Sequence, residues 1–311
     1  MFNRLVLALS LIQPLLVEGK RFKNILTFGD SYTDIINIGD GGTAWPVYAA
    51  DYANLTLFPF ARSGATCSNN LTPRPFPSLF ESQLPLYFSE LKNGTLSINN
   101  DESVYTLWIG TNDIGQSALL TGDQLVGVSL VDVVSCTVNW VKTLYDSGAR
   151  NFIFQNMIPL QNTILYSENS YPNRFWAFPK NATEWNLFMT ELTLTGNKLA
   201  ELMLLDLLPR IPGAHVGLFD SHGLFSDMYT NPQNYLNGTA PLNVTGCINS
   251  CVFPLNQSDA TPTCTTVSGT DRDSFLWFDE LHPSEQADRV VARNIADIIL
   301  GKPSRWIKWL S

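Results

Sequence analysis

The chain has 311 residues, 45% of them hydrophobic and 15% charged, with a net charge of −9. That length and composition suffice for a large buried core. The acid excess argues against the basic patches that nucleic acids and anionic membranes require, so a neutral substrate is expected and a nucleic-acid partner is not.

Residues 1–19 join Arg4 to an apolar stretch, Leu5 to Leu16, too short to span a bilayer. They read as a secretory signal, followed by a single domain over 20–311, and the mature protein is expected to be secreted and extracellular. No later run reaches transmembrane length, so no integral membrane association is expected. The first strand, 24–29, stops at Gly29 and delivers Asp30 and Ser31 as a parallel strand delivers side chains to the carboxyl edge of a sheet. A serine there is commonly a helix cap. As a nucleophile it needs a base, an orienting acid and oxyanion donors from elsewhere in the chain. Trp45, shortly after, is a candidate for stacking on a sugar ring; core packing is the alternative.

A second strand, 55–60, leads into Ala61-Arg62-Ser63-Gly64, where a bare backbone N–H can be approached closely. A helix is expected over 77–92. The strand at 104–109 leads to Gly110-Thr111-Asn112-Asp113 and places an amide at another strand end. In the next helix, 124–146, Leu130, Val134, Val138, Val141 and Tyr145 recur at helical spacing as a packing face. A strand at 151–156, a helix at 183–207, a strand at 215–219 and a final helix from Pro283 to Leu300 complete an α/β alternation, the pattern of a parallel sheet covered on both faces.

Seven Asn-x-Ser/Thr sequons, at Asn54, Asn70, Asn93, Asn181, Asn237, Asn243 and Asn256, point to glycosylation in a secretory pathway. The last three mark 231–272 as an exposed irregular loop. In an oxidising compartment the five cysteines favour disulfides over metal ligation. Cys251 with Cys264 would close a local loop, and Cys67 with Cys136 would tie the Gly64 loop to the helix after Asn112.

Three histidines can serve as base. His215 lies in an alternating apolar strand and reads as structural; His222 has only the nearby Asp220 to recommend it. His282 follows Asp279 by three residues in a turn closed by Pro283, so the carboxylate can fix the imidazole tautomer while the other ring nitrogen faces the serine. Asp30 is assigned to orienting the turn through backbone hydrogen bonds, and Asp34 to a structural role. Trp277, just before the acid, is a second candidate for lining a cleft.

Gly29-Asp30-Ser31, Gly64, Gly110-Thr111-Asn112-Asp113 and Asp279-Glu280-Leu281-His282-Pro283 stand in the order of the four blocks of the SGNH (GDSL-type) hydrolases. The resemblance spans residues 24–300, and Trp108 to Gly115 with Trp277 to Ser284 look most like secreted fungal acetyl esterases acting on carbohydrate. It implies a flavodoxin-like α/β/α sandwich with five parallel strands, a triad of Ser31, Asp279 and His282, and an oxyanion hole from the N–H groups of Ser31 and Gly64 and the Asn112 amide. It also assigns the orienting role to Asp279 over the neighbouring Glu280. The expected substrate is an acetylated carbohydrate or small ester, handled by a monomer without metal or organic cofactor. A lipase or phospholipase with longer acyl preference is the alternative. No G-x-S-x-G elbow, H-E-x-x-H or G-x-x-x-x-G-K occurs, which disfavours the α/β-hydrolase, metalloprotease and nucleotide-binding readings. A non-catalytic carbohydrate-binding protein would leave the strand-end polar residues unexplained.

Overall fold

The computed structural model describes residues 22–39 and 41–311, so the stretch read as a signal lies outside the described residues. Strands β1 (Asn24–Gly29), β2 (Thr56–Pro59), β3 (Ser103–Trp108), β4 (Asn151–Gln155) and β5 (His215–Phe219) run parallel. Every residue of β3 and β4 is buried. Alternating side chains feed two cores, with Ile25, Val104, Ile153 and Phe219 on one face and Leu26, Phe28, Tyr105 and Phe154 on the other.

The helices are α1 (Trp45–Ala53), α2 (Leu84–Asn93), α3 (Thr111–Ile114), α4 (Leu130–Asp146), α5 (Ala182–Leu207), α6 (Ser221–Thr230) and α7 (Glu285–Ile299). α1, α6 and α7 pack on the first core, and α2, α4 and much of α5 on the second. Their starts follow local chemistry. Ser129 and Asp132 form a capping box on α4, while the Asn181, Asp220 and Ser284 side chains accept the N–H of Glu184, Gly223 and Ala287. In the expected α4 stripe, Val134, Val138 and Val141 are buried and Leu130 and Tyr145 partly so. The helix expected from 77 is in fact a π turn at Leu79–Gln83 that passes into α2.

One expectation needs correction, and one strand was not foreseen. The stretch 231–272 is not an irregular loop throughout. β6 (Asn243–Cys247) pairs in parallel with β9 (Phe275–Trp277), and β7 (Asn249–Val252) forms an antiparallel ladder with β8 (Thr263–Thr266). The Cys251–Cys264 disulfide crosses that ladder at facing positions, so a covalent link supplies what four exposed residues of β8 lack in buried surface. The five expected parallel strands are all present, and β10 (Ile307–Trp309) adds a sixth, antiparallel to β5 at the edge, giving the order β10-β5-β4-β3-β1-β2. A three-residue strand is too short for alternation to reveal it.

Candidate active site

The carboxyl ends of β1 and β3 meet at Gly29, whose φ is +145°; a Cβ there would sit 2.1 Å from the Trp108 carbonyl oxygen. Only glycine lets the chain turn this close to its neighbour. Asp30 then shapes the turn, as expected. Its side chain accepts the Tyr32 N–H at 3.1 Å and its carbonyl accepts the N–H of Thr33 and Asp34. Asp34 accepts the N–H of Ile36 and, across the cleft floor, of Ser63, both at 2.8 Å. The Ser31 turn and the Gly64 loop are thereby tied together.

Ser31 ends up facing His282. The imidazole Nε2 lies 2.9 Å from Ser31 Oγ, and Nδ1 lies 3.0 Å from both oxygens of Asp279. Asp279 also accepts the backbone N–H of Leu281 and His282 at 2.9 and 2.7 Å, so one carboxylate closes the turn and orients the ring. Tyr32 abuts the imidazole edge-on and donates its hydroxyl to the Leu281 carbonyl. Glu280, the rival acid, is turned away, accepting from the Tyr171 hydroxyl and the Cys251 N–H. His215 is exposed at the start of β5, and His222 opens α6, so neither is part of this arrangement.

The third component converges on the same point. Asn112 lies in α3 and donates from Nδ2 to the Ala65 carbonyl at 2.9 Å, which docks α3 on the Gly64 loop. Asp113 reinforces the docking by accepting the Cys67 N–H, and Cys67 is bonded to Cys136 of α4. Gly64 has φ +78°, and the Phe76 ring covers the face where a side chain would project. Among the described residues, no protein acceptor takes the N–H of Ser31 or Gly64. Ser31, Gly64, Asn112 and His282 together line an open cleft of about 610 Å³.

Trp45 and Trp277 do not line it. Both are completely buried; Trp45 Nε1 donates to Thr33 Oγ1 and Trp277 Nε1 to the Val244 carbonyl. An indole near a motif in sequence was drawn inward because its large apolar surface gains more from the core. The aromatic walls are instead Phe76, 44% exposed, and Phe175, whose ring lies 5.7 Å from the His282 ring. Two arginines also went unrecognised. Arg74 donates to Asn112 Oδ1 and the Gln116 carbonyl, and Arg174 forms an ion pair with Asp279 Oδ2. Neither stands in a motif; charged residues in coil ordinarily read as solvated. Of the sequons, Asn54, Asn70, Asn93, Asn181, Asn237 and Asn256 are exposed, while Asn243 is half-buried and accepts the N–H of Thr245 and Gly246.

Burial dominates the electrostatics but not everywhere with the same result. It pushes the Asp30 carboxyl up to about 7, against the Tyr32 N–H, with Asp113 adding to the rise. It lifts Asp113 to about 7 as well. Asp279 is as deeply buried, yet the charges of His282 and Arg174 and its hydrogen bonds outweigh the desolvation and hold it below the usual carboxylate range. An ionised acid, an imidazole and a serine hydroxyl therefore stand in line, the arrangement that acyl transfer through a serine requires. Among the described residues, no group of His, Cys, Asp or Glu is placed to hold a metal ion, and no helix is long and apolar enough to cross a membrane.

The sequence pattern described as GDSL-like lipase/acylhydrolase matches residues 25–295. An acetylesterase of Hypocrea jecorina is 30% identical, with 93% of this chain and 92% of the relative aligned. A second acetylesterase, from Thermothelomyces thermophilus, is 24% identical over 88% of this chain and 87% of its own. A GDSL esterase/lipase of Arabidopsis thaliana is also 24% identical, covering 91% of this chain and 79% of the relative.

Proposed function

The chain belongs to the GDSL-like lipase/acylhydrolase family and is a carboxylic ester hydrolase, and from that premise we propose that it removes acetyl groups through an acyl-enzyme on Ser31. The observation that carries the reading is the His282 imidazole held between Ser31 Oγ and Asp279. His282 Nε2 takes the Ser31 proton as Oγ attacks the ester carbonyl. The N–H groups of Ser31 and Gly64 and the Asn112 amide receive the oxyanion. The imidazolium protonates the departing alcohol, and a water then repeats the sequence on the acyl-enzyme, releasing acetate and restoring Ser31. The acyl preference rests on the two fungal relatives called acetylesterases. Export of the enzyme is supported by two disulfides and six exposed sequons, and an acetylated oligosaccharide is the substrate proposed for an exported acetylesterase.

Rates on p-nitrophenyl esters of increasing acyl length test this directly. Each extra methylene is worth about 0.8 kcal/mol where a groove receives it, so a lipase gains with length and an acetylesterase loses through clashes. Acetate should be strongly preferred over octanoate, and acetylated xylo- or cello-oligosaccharides should release acetate. Rates rising from acetate to octanoate would overturn the acetyl reading in favour of a lipase.

A further inference from the structure

We propose that Arg174 is a positioning residue of this site, which pins the Asp279 carboxylate and offsets its charge so that His282 remains an available base in acid. The proposal rests on the serine mechanism given above.

The Arg174 side chain is 47% exposed, but its head is tied to a buried carboxylate. Its guanidinium pairs with Asp279 Oδ2, an oxygen whose other partner is His282 Nδ1. It lies over the Phe175 ring at 4.6 Å, and the same ring flanks His282, so one aromatic side chain orders both. The segment carrying it is fixed from within and without. Buried Asn173 accepts the N–H of Phe175 and Trp176 and donates to the Tyr171 carbonyl. Two N–H groups at the disulfide-linked hairpin, Phe253 and Asn256, donate to the Pro172 and Ala177 carbonyls.

The electrostatic consequence follows from position. A carboxylate beside Nδ1 favours the imidazolium, and an imidazolium cannot accept the serine proton. A cation on the far oxygen weakens that preference while keeping the carboxylate ionised and oriented. The other groups facing this pair are Asp30 and Tyr32 from the turn after β1, Cys247 from β6, and Glu280 with Tyr171 beyond it. Glu280 spends one oxygen on Tyr171 and Cys251. Asp30 changes charge near neutrality and bears on His282, so its contribution has to be separated from that of Arg174.

The experiment compares the pH dependence of kcat/KM on p-nitrophenyl acetate, and of Ser31 labelling by a fluorophosphonate, in Arg174→Met, Arg174→Gln and Arg174→Lys. Loss of the charge should move the acid limb to higher pH by about half a unit or more in the Met and Gln variants. Lys should restore it, and the Met displacement should persist in an Asp30→Asn background. Limbs of both Met and Gln coincident with the wild type, or an equal displacement in Lys, would overturn the proposal; Gln carries the test alone if Met does not fold. Should Ser31→Ala retain turnover, or the label attach elsewhere, the serine mechanism itself fails. Ser31 labelling with an unmoved limb rejects only the role of Arg174.

Discussion

On the His282 side of the cleft, both oxygens of the orienting carboxylate are matched to donors: Asp279 Oδ1 to two backbone N–H groups and the imidazole, Oδ2 to the imidazole and Arg174. On the Ser31 side, Asp30 and Asp113 each use one oxygen on a backbone N–H and leave Oδ2 buried without a partner among the described residues. The three acids are equally deep, so burial alone does not decide their charge. A matched set of donors and a cation keep Asp279 ionised, while the two acids that shape turns are pushed toward neutrality. The acid next to Ser31 in sequence is thus the architectural one, and the acid far away in sequence is the electrostatic one.

The sharpest way to break that contrast is to exchange acids for amides on the His282 side. Asp279→Asn should lower kcat on the order of 10⁴-fold, since an amide at this position disturbs the imidazole tautomer and removes the charge that stabilises the imidazolium. Glu280→Gln should retain most of its activity, because Glu280 faces Tyr171 and Cys251. Equal losses in the two variants would mean that the neighbouring acids have been assigned the wrong way round.

A smaller effect is expected on the Ser31 side. Asn112→Ala removes one of the proposed oxyanion donors, a loss that typically costs about 100- to 1000-fold in kcat, and the folded state should survive because Asp113 still holds α3 on the Cys67 N–H. Thermal unfolding alongside kcat separates the two outcomes. Undiminished turnover by a folded variant would remove Asn112 from the oxyanion hole and leave the backbone donors alone.

Much of this arrangement was legible because it is local. Gly29, Ser31, Gly64 and Asn112 sit at strand ends, where a short apolar run followed by glycine announces itself, and Asp279 and His282 share one turn. What was illegible depends on contacts across the chain. Trp45 and Trp277 lie beside the motifs in sequence, yet their indoles pack into the core with Trp108 and Phe225. Phe76, Phe175, Arg74 and Arg174 reach the cleft from loops with no periodicity and no motif. β10 and the β7–β8 ladder are too short for alternation, although the cysteines at 251 and 264 already marked where that ladder closes.

The unmatched acids should also leave their mark on stability. Asp30 and Asp113 have native pKa values of about 7 against 3.8 for the free side chain. Between those values the native state binds more protons than the unfolded chain, so stability falls as pH rises from about 4 to about 7 and levels off above. Asp279 runs the other way: its native value is depressed, so its contribution is present at neutral pH and is lost only as pH falls through that lower value. Between pH 5 and pH 8 the two raised acids pull the same way, and urea unfolding should show the protein less stable at pH 8, by on the order of 5 kcal/mol for the two together. Asp30→Asn and Asp113→Asn keep an oxygen to accept from Tyr32 or Cys67 but carry no charge to bury, and each should narrow the difference. A wild type equally stable at the two pH values, or Asn variants that lose stability in parallel at both, would show that these carboxyls are ionised in the native state and that the contrast across the cleft is one of shape alone.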